Sequence, residues 1–306
     1  MKNPLFGPVP SRRLGRSLGV DVVPFKFCPY DCVYCELGCT TRRELTRRPY
    51  IRVEEVRDSI AAADLSDLDY ITFGGSGEPT LCCNLDRMVA AVKAITDVPV
   101  AILTNSALLS DPAVRQELMG FDLVVPSLDA ADETVFTAVN RPHSAVDFTA
   151  MVEGLRRFCQ EFTGRLWLEV LLVKGVSDQP AHLDSLAELA ASLEVDLVDL
   201  NTVARPPAEP WACALETEEL EAAALRFRQP VRIPVYHQHQ VHDALTQAPA
   251  EAMVSLLGRR PCTAEDLAGG LGLRLGLVVK YLDLLKGQGR VVTRENDGRH
   301  YYTLAR

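Results

Sequence analysis

Residues 17–35 read SLGVDVVPFKFCPYDCVYC, an apolar, valine-rich stretch that runs directly into a loop with cysteines at positions 28, 32 and 35. Residues 17–24 have the composition of a buried strand ended by a proline. The loop that follows places three thiols within eight residues. Polar segments at the C-terminal ends of parallel strands are where βα folds bind ligands, so the stretch predicts both a fold and the end of the fold that carries the site.

The same rhythm repeats along the chain. Strand candidates YITFGG (70–75), VPVAILTNS (98–106), LVVPSLDA (123–130), RLWLEVLLV (165–173) and LVDLNTV (197–203) alternate with helical patterns at 53–64, 85–96, 111–120, 146–162 and 183–193. About six βα units end by residue 215, which predicts an α/β partial (β/α)6 TIM-like barrel over residues 1–240. After residue 245 come three short helical patterns and RVVTRENDGRHYYTL, two strands around Asn296, Asp297 and Gly298. That outline resembles a winged helix-turn-helix domain over residues 246–306.

The chain has 306 residues, 47% of them hydrophobic and 24% charged, with a net charge of -9. This composition fits a folded enzyme and argues against a uniformly basic nucleic-acid-coating protein. Prolines and basic residues occupy the start where a secretory signal needs an apolar core, and no run reaches membrane-span length. The expectation is a cytoplasmic protein without a membrane partner. Nine cysteines in a reducing compartment point to metal chemistry and not to a disulfide framework.

Thiolates suit zinc or iron-sulfur clusters. Cys28, Cys32, Cys35 and Cys39 together would close a structural zinc site; the first three alone would leave one iron of a cubane open. The spacing of three and then two residues, with Tyr34 directly before the last cysteine, resembles the signature of radical S-adenosylmethionine (SAM) enzymes. The resemblance implies a 4Fe-4S cluster on Cys28, Cys32 and Cys35, SAM chelated by the unique iron, and an electron from a donor such as flavodoxin or ferredoxin. It further implies a 5'-deoxyadenosyl radical that abstracts hydrogen from a substrate.

The second strand ends in FGGSGEPT, which is similar to the family's glycine-glycine-glutamate element, with serine in place of the first glycine. Gly75, Ser76, Gly77 and Glu78 are the implied SAM-binding stretch, since glycines let backbone carbonyls approach a ligand. Thr104 and Asn105, and Ser127 and Asp129, end the third and fourth strands and offer groups suited to the ribose and amino acid parts of SAM. Each could equally be a turn former or helix cap. Asn201 and Val203, on the sixth strand, lie where family members cradle adenine. Glu169 and Lys174 flank the fifth strand as a ligand pair or a buried polar pair. Residues 15–210 resemble the branch that includes tRNA wyosine-forming and nitrogenase-cofactor-maturation enzymes, on PSRRLGRSLGVDVVPFKFCPYDCVYC, GEPTL and PSLDA.

Other features stay outside that core. Cys39 is a loop thiol or serves a second cluster, Cys159 fits a helix core, and Cys82, Cys83, Cys213 and Cys262 have no assigned role. Arg12, Arg13 and Arg16, with Arg42, Arg43, Arg47 and Arg48, form either an anion site or a solvated run. His237, His239 and His242 read as a polar linker or a metal trio. Arg259, Arg260, Arg274, Lys280, Lys286, Arg290, Arg294, Arg299 and Arg306 make the C-terminal module modestly basic, for nucleic acid or for a peptide. The substrate class expected is RNA or protein; a small metabolite, or an iron-sulfur DNA-binding redox sensor, is the alternative. Oligomeric state and catalytic residues are not read from the sequence.

Overall fold

The computed structural model describes residues 4–305 apart from 12, 41, 235–248 and 274. Arg12, Arg274, Arg306, the histidines at 237, 239 and 242 and the expected boundary between residues 240 and 246 lie outside the described residues.

Strands β1 (Leu5–Ser11) and β2 (Gly15–Val20) form an antiparallel hairpin; β3 (Phe27–Cys28) and β4 (Arg42–Arg43) bracket the cysteine loop. Then α1 (Val53–Ala61), β5 (Tyr70–Phe73), α2 (Leu85–Lys93), β6 (Val100–Thr104), α3 (Pro112–Leu118), β7 (Leu123–Pro126), α4 (Glu133–Asn140), α5 (Phe148–Glu161), β8 (Arg165–Leu172), α6 (Pro180–Ala191), β9 (Leu197–Thr202), α7 (Thr217–Ala224) and β10 (Val231–Arg232) follow. The main sheet runs β1-β2-β5-β6-β7-β8-β9-β10, parallel throughout except for β1 against β2.

Strand burial explains the continuous apolar runs. All four residues of β5 and of β7 are buried, as expected where both faces of a parallel sheet are covered. In β7, Leu123 and Val125 join Tyr70 and Trp167 on one face, while Val124 faces the large core formed with the helices. Aspartates cap the helix starts: Asp111, Asp132 and Asp147 each accept a backbone N–H from the first turn that follows.

Two features differ from the sequence reading. The sheet has eight strands and not six, because β1 pairs along its free edge and β10 adds two residues at the other end. Pro8 and Pro10 hide β1 from a pattern reading, yet prolines are tolerated on such an edge strand. The first parallel strand also ends at Val20, earlier than the proline at 24 suggests.

The C-terminal segment comprises α8 (Pro249–Leu257), α9 (Ala264–Leu271), α10 (Leu275–Gly287), β11 (Val291–Asn296) and β12 (Arg299–Leu304). Asp297 and Gly298 join the last two strands with φ of 50° and 66°, the positive pair that matches strand twist in a two-residue hairpin. This segment has its own apolar core, which takes in Val9 and Phe6 of β1. No helix of the described residues is long and apolar enough to cross a membrane.

Candidate active site

The cysteine loop leaves β2 and is held against the end of α4. Val33 N–H donates to Val139 O at 2.9 Å, Asp31 N–H to Asn140 O at 3.0 Å and His143 N–H to Pro29 O at 2.8 Å. The β3–β4 ladder closes its base, and Thr40 N–H caps onto Asp31 Oδ1 at 2.6 Å. The loop is therefore fixed by main-chain bonds before any ligand is considered.

Each of the three thiols receives a separate N–H donor. Asn105 Nδ2 donates to Cys28 Sγ at 3.3 Å, Asn140 Nδ2 to Cys32 Sγ at 3.5 Å and Lys26 Nζ to Cys35 Sγ at 3.1 Å. Burial, reinforced by Glu78, pushes the Cys28 thiol up to about 12, and burial also raises Cys32, with Cys28 as the next cause. Thiols so shifted stay protonated unless a cation joins them. Among the described residues no three Cys, His, Asp or Glu side chains are set around a single metal ion.

The strand-end residues form two polar hubs. Glu78 is buried and accepts from Asn105 N–H (2.8 Å), Thr104 Oγ1 (2.7 Å), Thr80 N–H (3.1 Å) and Thr80 Oγ1 (2.5 Å), which ties the ends of β5 and β6 together. Asp129 accepts from Tyr34 Oη (2.5 Å), Asn140 Nδ2 (2.7 Å) and Leu171 N–H (2.9 Å). Burial raises its carboxyl to about 6, against the lowering effect of those three donors. Tyr34 and Asp129 thereby link the cysteine loop to β7 and β8.

The glycine turn is equally specific. Gly74 and Gly75 have φ of 146° and 143°, and a Cβ on Gly77 would lie 2.2 Å from Phe27 O. Lys26, at φ 62°, donates its N–H to Ser76 O at 2.6 Å, so the cysteine loop and the turn are bonded to each other. The Ser76 hydroxyl turns away and donates to Asp21 Oδ2 at 2.8 Å.

The remaining candidates sit as follows. Ser127 bridges Glu169, and its carbonyl accepts from Ser106 Oγ at 2.8 Å. Asn201 is buried and donates to Glu169 Oε1 at 3.0 Å, and Glu169 also pairs with Arg13. Val203 packs with Val33, Val139, Val173 and Ala212 in an apolar cluster against Tyr34. Lys174 pairs with Glu219 at 2.9 Å on the surface, apart from Glu169. Arg47 is taken by Thr80 O, Cys82 O and Glu117, and Arg43 and Arg42 by Asp31 and Glu44, so these arginines are engaged locally. Cys39 and Cys213 are exposed, and Cys82, Cys159 and Cys262 are buried.

Sequence reasoning missed Lys26, Tyr30 and Asn140. Tyr30 Oη and Asn140 Oδ1 are buried without a hydrogen-bond partner among the described residues, which costs about 1–3 kcal/mol per group. Burial raises the Tyr30 hydroxyl well above its ordinary range, and the charges of Cys32, Glu78, Cys28 and Asp129 add to the rise. Three cysteines with N–H donors, beside orphaned polar groups and a glycine turn, fit a thiolate-bound cluster and a polar cofactor next to it.

Residues 22–187 match the radical SAM superfamily. The chain belongs to the radical SAM superfamily. It is similar to a UPF0026 protein of Methanocaldococcus jannaschii, 30% identical over an alignment 308 positions long that covers 97% of this chain and 94% of that one. A protein named GTPase Obg from Brachyspira hyodysenteriae is 41% identical over an alignment 292 positions long, which covers 94% of this chain but only 43% of that longer protein. Among solved structures, SuiB of Streptococcus suis bound to precursor peptide SuiA aligns with a TM-score of 0.50 at 14% identity, covering 70% of this chain and 48% of that one, a likeness of fold. As a radical SAM enzyme the protein uses a 4Fe-4S cluster and SAM, and its own reaction is unassigned.

Proposed function

We propose that this radical SAM enzyme acts on a macromolecule, with Cys28, Cys32 and Cys35 holding the cluster and the β5, β6 and β7 ends holding SAM. Cys28, Cys32 and Cys35 would hold the cluster, and the chemistry it would supply when bound is the one-electron reductive cleavage of SAM for hydrogen abstraction from the substrate. The observation that carries this is the set of three loop thiols, each with its own N–H donor.

The residues of the chain do the rest. Gly75–Glu78 present main-chain groups to the amino and carboxylate end of SAM, with Glu78 keeping the turn in shape. Asn105 orients Cys28, and Asp129 fixes Tyr34 beside Cys35. Asn201 and Val203 line the adenine side. Ser127 and Asp129 serve the ribose. An electron donor of the flavodoxin or ferredoxin type reduces the cluster, and the cytoplasm, as a reducing compartment, is the place for such chemistry. Within the superfamily we place the chain beside the wyosine-forming and nitrogenase-cofactor-maturation branch, and we read residues 246–306 as a winged-helix module on a partial barrel.

The surface of that module favours a polypeptide over RNA. On α10, the helix that would enter a groove, Leu275, Val279 and Leu284 are 42%, 39% and 52% exposed. Such side chains carry no hydrogen-bonding groups for base edges. The exposed Arg294 and Arg299 of the hairpin suit phosphate and carry the RNA reading. The test uses anaerobic enzyme with dithionite, SAM and perdeuterated cell fractions. Deuterium recovered in 5'-deoxyadenosine from the protein fraction supports the polypeptide reading; deuterium only from RNA keeps a macromolecular substrate and overturns the polypeptide, and deuterium only from small metabolites overturns the proposal.

A further inference from the structure

The C-terminal segment reaches the glycine turn through one side chain. Arg259 lies in the turn after α8, with Nη1 2.9 Å from Asp21 Oδ2 and 3.2 Å from Ser76 Oγ. Asp21 is 2% exposed and accepts both the Ser76 N–H (2.7 Å) and the Ser76 hydroxyl (2.8 Å). A buried carboxylate needs a partner of opposite charge, and Arg259 supplies it.

The same guanidinium stands 5.7 Å over the Phe6 ring. Phe6 in turn packs on glycines: a Cβ on Gly19 would lie 2.1 Å from its Cζ, and a Cβ on Gly75 would lie 2.8 Å from both its Cε1 and Asp21 Oδ1. The back of the turn is thus built by Phe6 from β1, Asp21 after β2 and Arg259 from the C-terminal segment. Gly74 and Gly75 occupy backbone conformations that have a wide choice of alternatives, so the turn needs such a brace to keep one shape.

We propose that Arg259 is a positioning residue for SAM: it locks Asp21, Phe6 and Ser76, so that the C-terminal segment completes the cofactor site. This rests on the reading that Gly75–Glu78 hold SAM. The segment is then a working part of the catalytic unit as well as a docking module. Arg259 touches neither the thiols nor their N–H donors, so its loss separates SAM binding from cluster binding.

The experiment measures SAM affinity by anaerobic equilibrium dialysis, iron content per chain, and the change in the reduced cluster's EPR signal on adding SAM. Variants are R259M, R259K, D21N, the D21N/R259M double and G75A. R259M and D21N each weaken SAM binding about tenfold or more at wild-type iron content, and the EPR change needs correspondingly more SAM. R259K recovers part of the affinity. The double variant binds SAM no more weakly than the worse single variant, because both act through one contact. Should R259M fail to fold, the double variant leaves no buried charge unpaired and is read against D21N.

SAM affinity within twofold of wild type in D21N or R259M overturns the proposal, as do losses that multiply in the double or iron lost together with SAM. With R259M unchanged, a loss of SAM binding in G75A leaves the turn as the SAM site and removes only the brace; no change in G75A removes the turn assignment as well.

Discussion

The Lys26 ammonium lies 3.1 Å from Cys35 Sγ, while Cys28 and Cys32 receive neutral amide donors from Asn105 and Asn140. Lys26 is 2% exposed, so its charge acts at low dielectric on whatever the three thiolates hold. Donors and positive charge near the sulfurs raise a cluster's reduction potential. K26M is expected to lower the potential by about 59 mV or more, tenfold in a one-electron equilibrium, with K26R staying close to wild type. A potentiometric EPR titration reads the shift.

Glu78 accepts four hydrogen bonds from the ends of β5 and β6. In E78Q one oxygen becomes an NH2 that faces donors, leaving at least one buried group unmatched. The variant should lose about 2–3 kcal/mol. A lower urea midpoint at constant slope would show it.

Cys39 is exposed, four residues beyond the cluster loop. C39S should keep wild-type iron after anaerobic reconstitution, and C35S should lose it. Iron and sulfide assays of the two proteins side by side decide the point; parallel loss in both would make Cys39 a ligand.

Burial raises the Asp21 carboxyl above its usual range, and Arg259 and Ser76 offset this only in part. Its folded pKa is therefore above the unfolded value of about 3.9. The contribution is fully present below that value and is lost as pH rises through the folded pKa. D21N removes this fall, so the stability of D21N relative to wild type should increase as pH rises above about 4. Urea midpoints of both proteins over that rise give the trend.

The parts of the candidate site that were legible in the sequence are those whose signals are local. CPYDCVYC and GGSGEPT are contiguous, and the strand ends at Asn105 and Asp129 follow from period and composition. Asn140 escaped because it sits at the end of a short helix, α4, whose importance comes only from docking on the cysteine loop. Lys26 reads as an ordinary charged loop residue until the left-handed backbone turns it inward. The pairing of Asp21 with Arg259 joins distant parts of the chain, and no spacing rule predicts it. Strand β1 was hidden by its prolines, and no local pattern shows that the Ser76 hydroxyl donates to Asp21.

The central claim is that this chain cleaves SAM reductively at a cluster on Cys28, Cys32 and Cys35. The most direct measurement is the product assay of anaerobically reconstituted protein with dithionite and SAM, followed by chromatography and mass spectrometry. The account predicts 5'-deoxyadenosine and methionine in equal amounts, both absent from C28A, C32A and C35A. Intact, reducible cluster with bound SAM and neither product would contradict it.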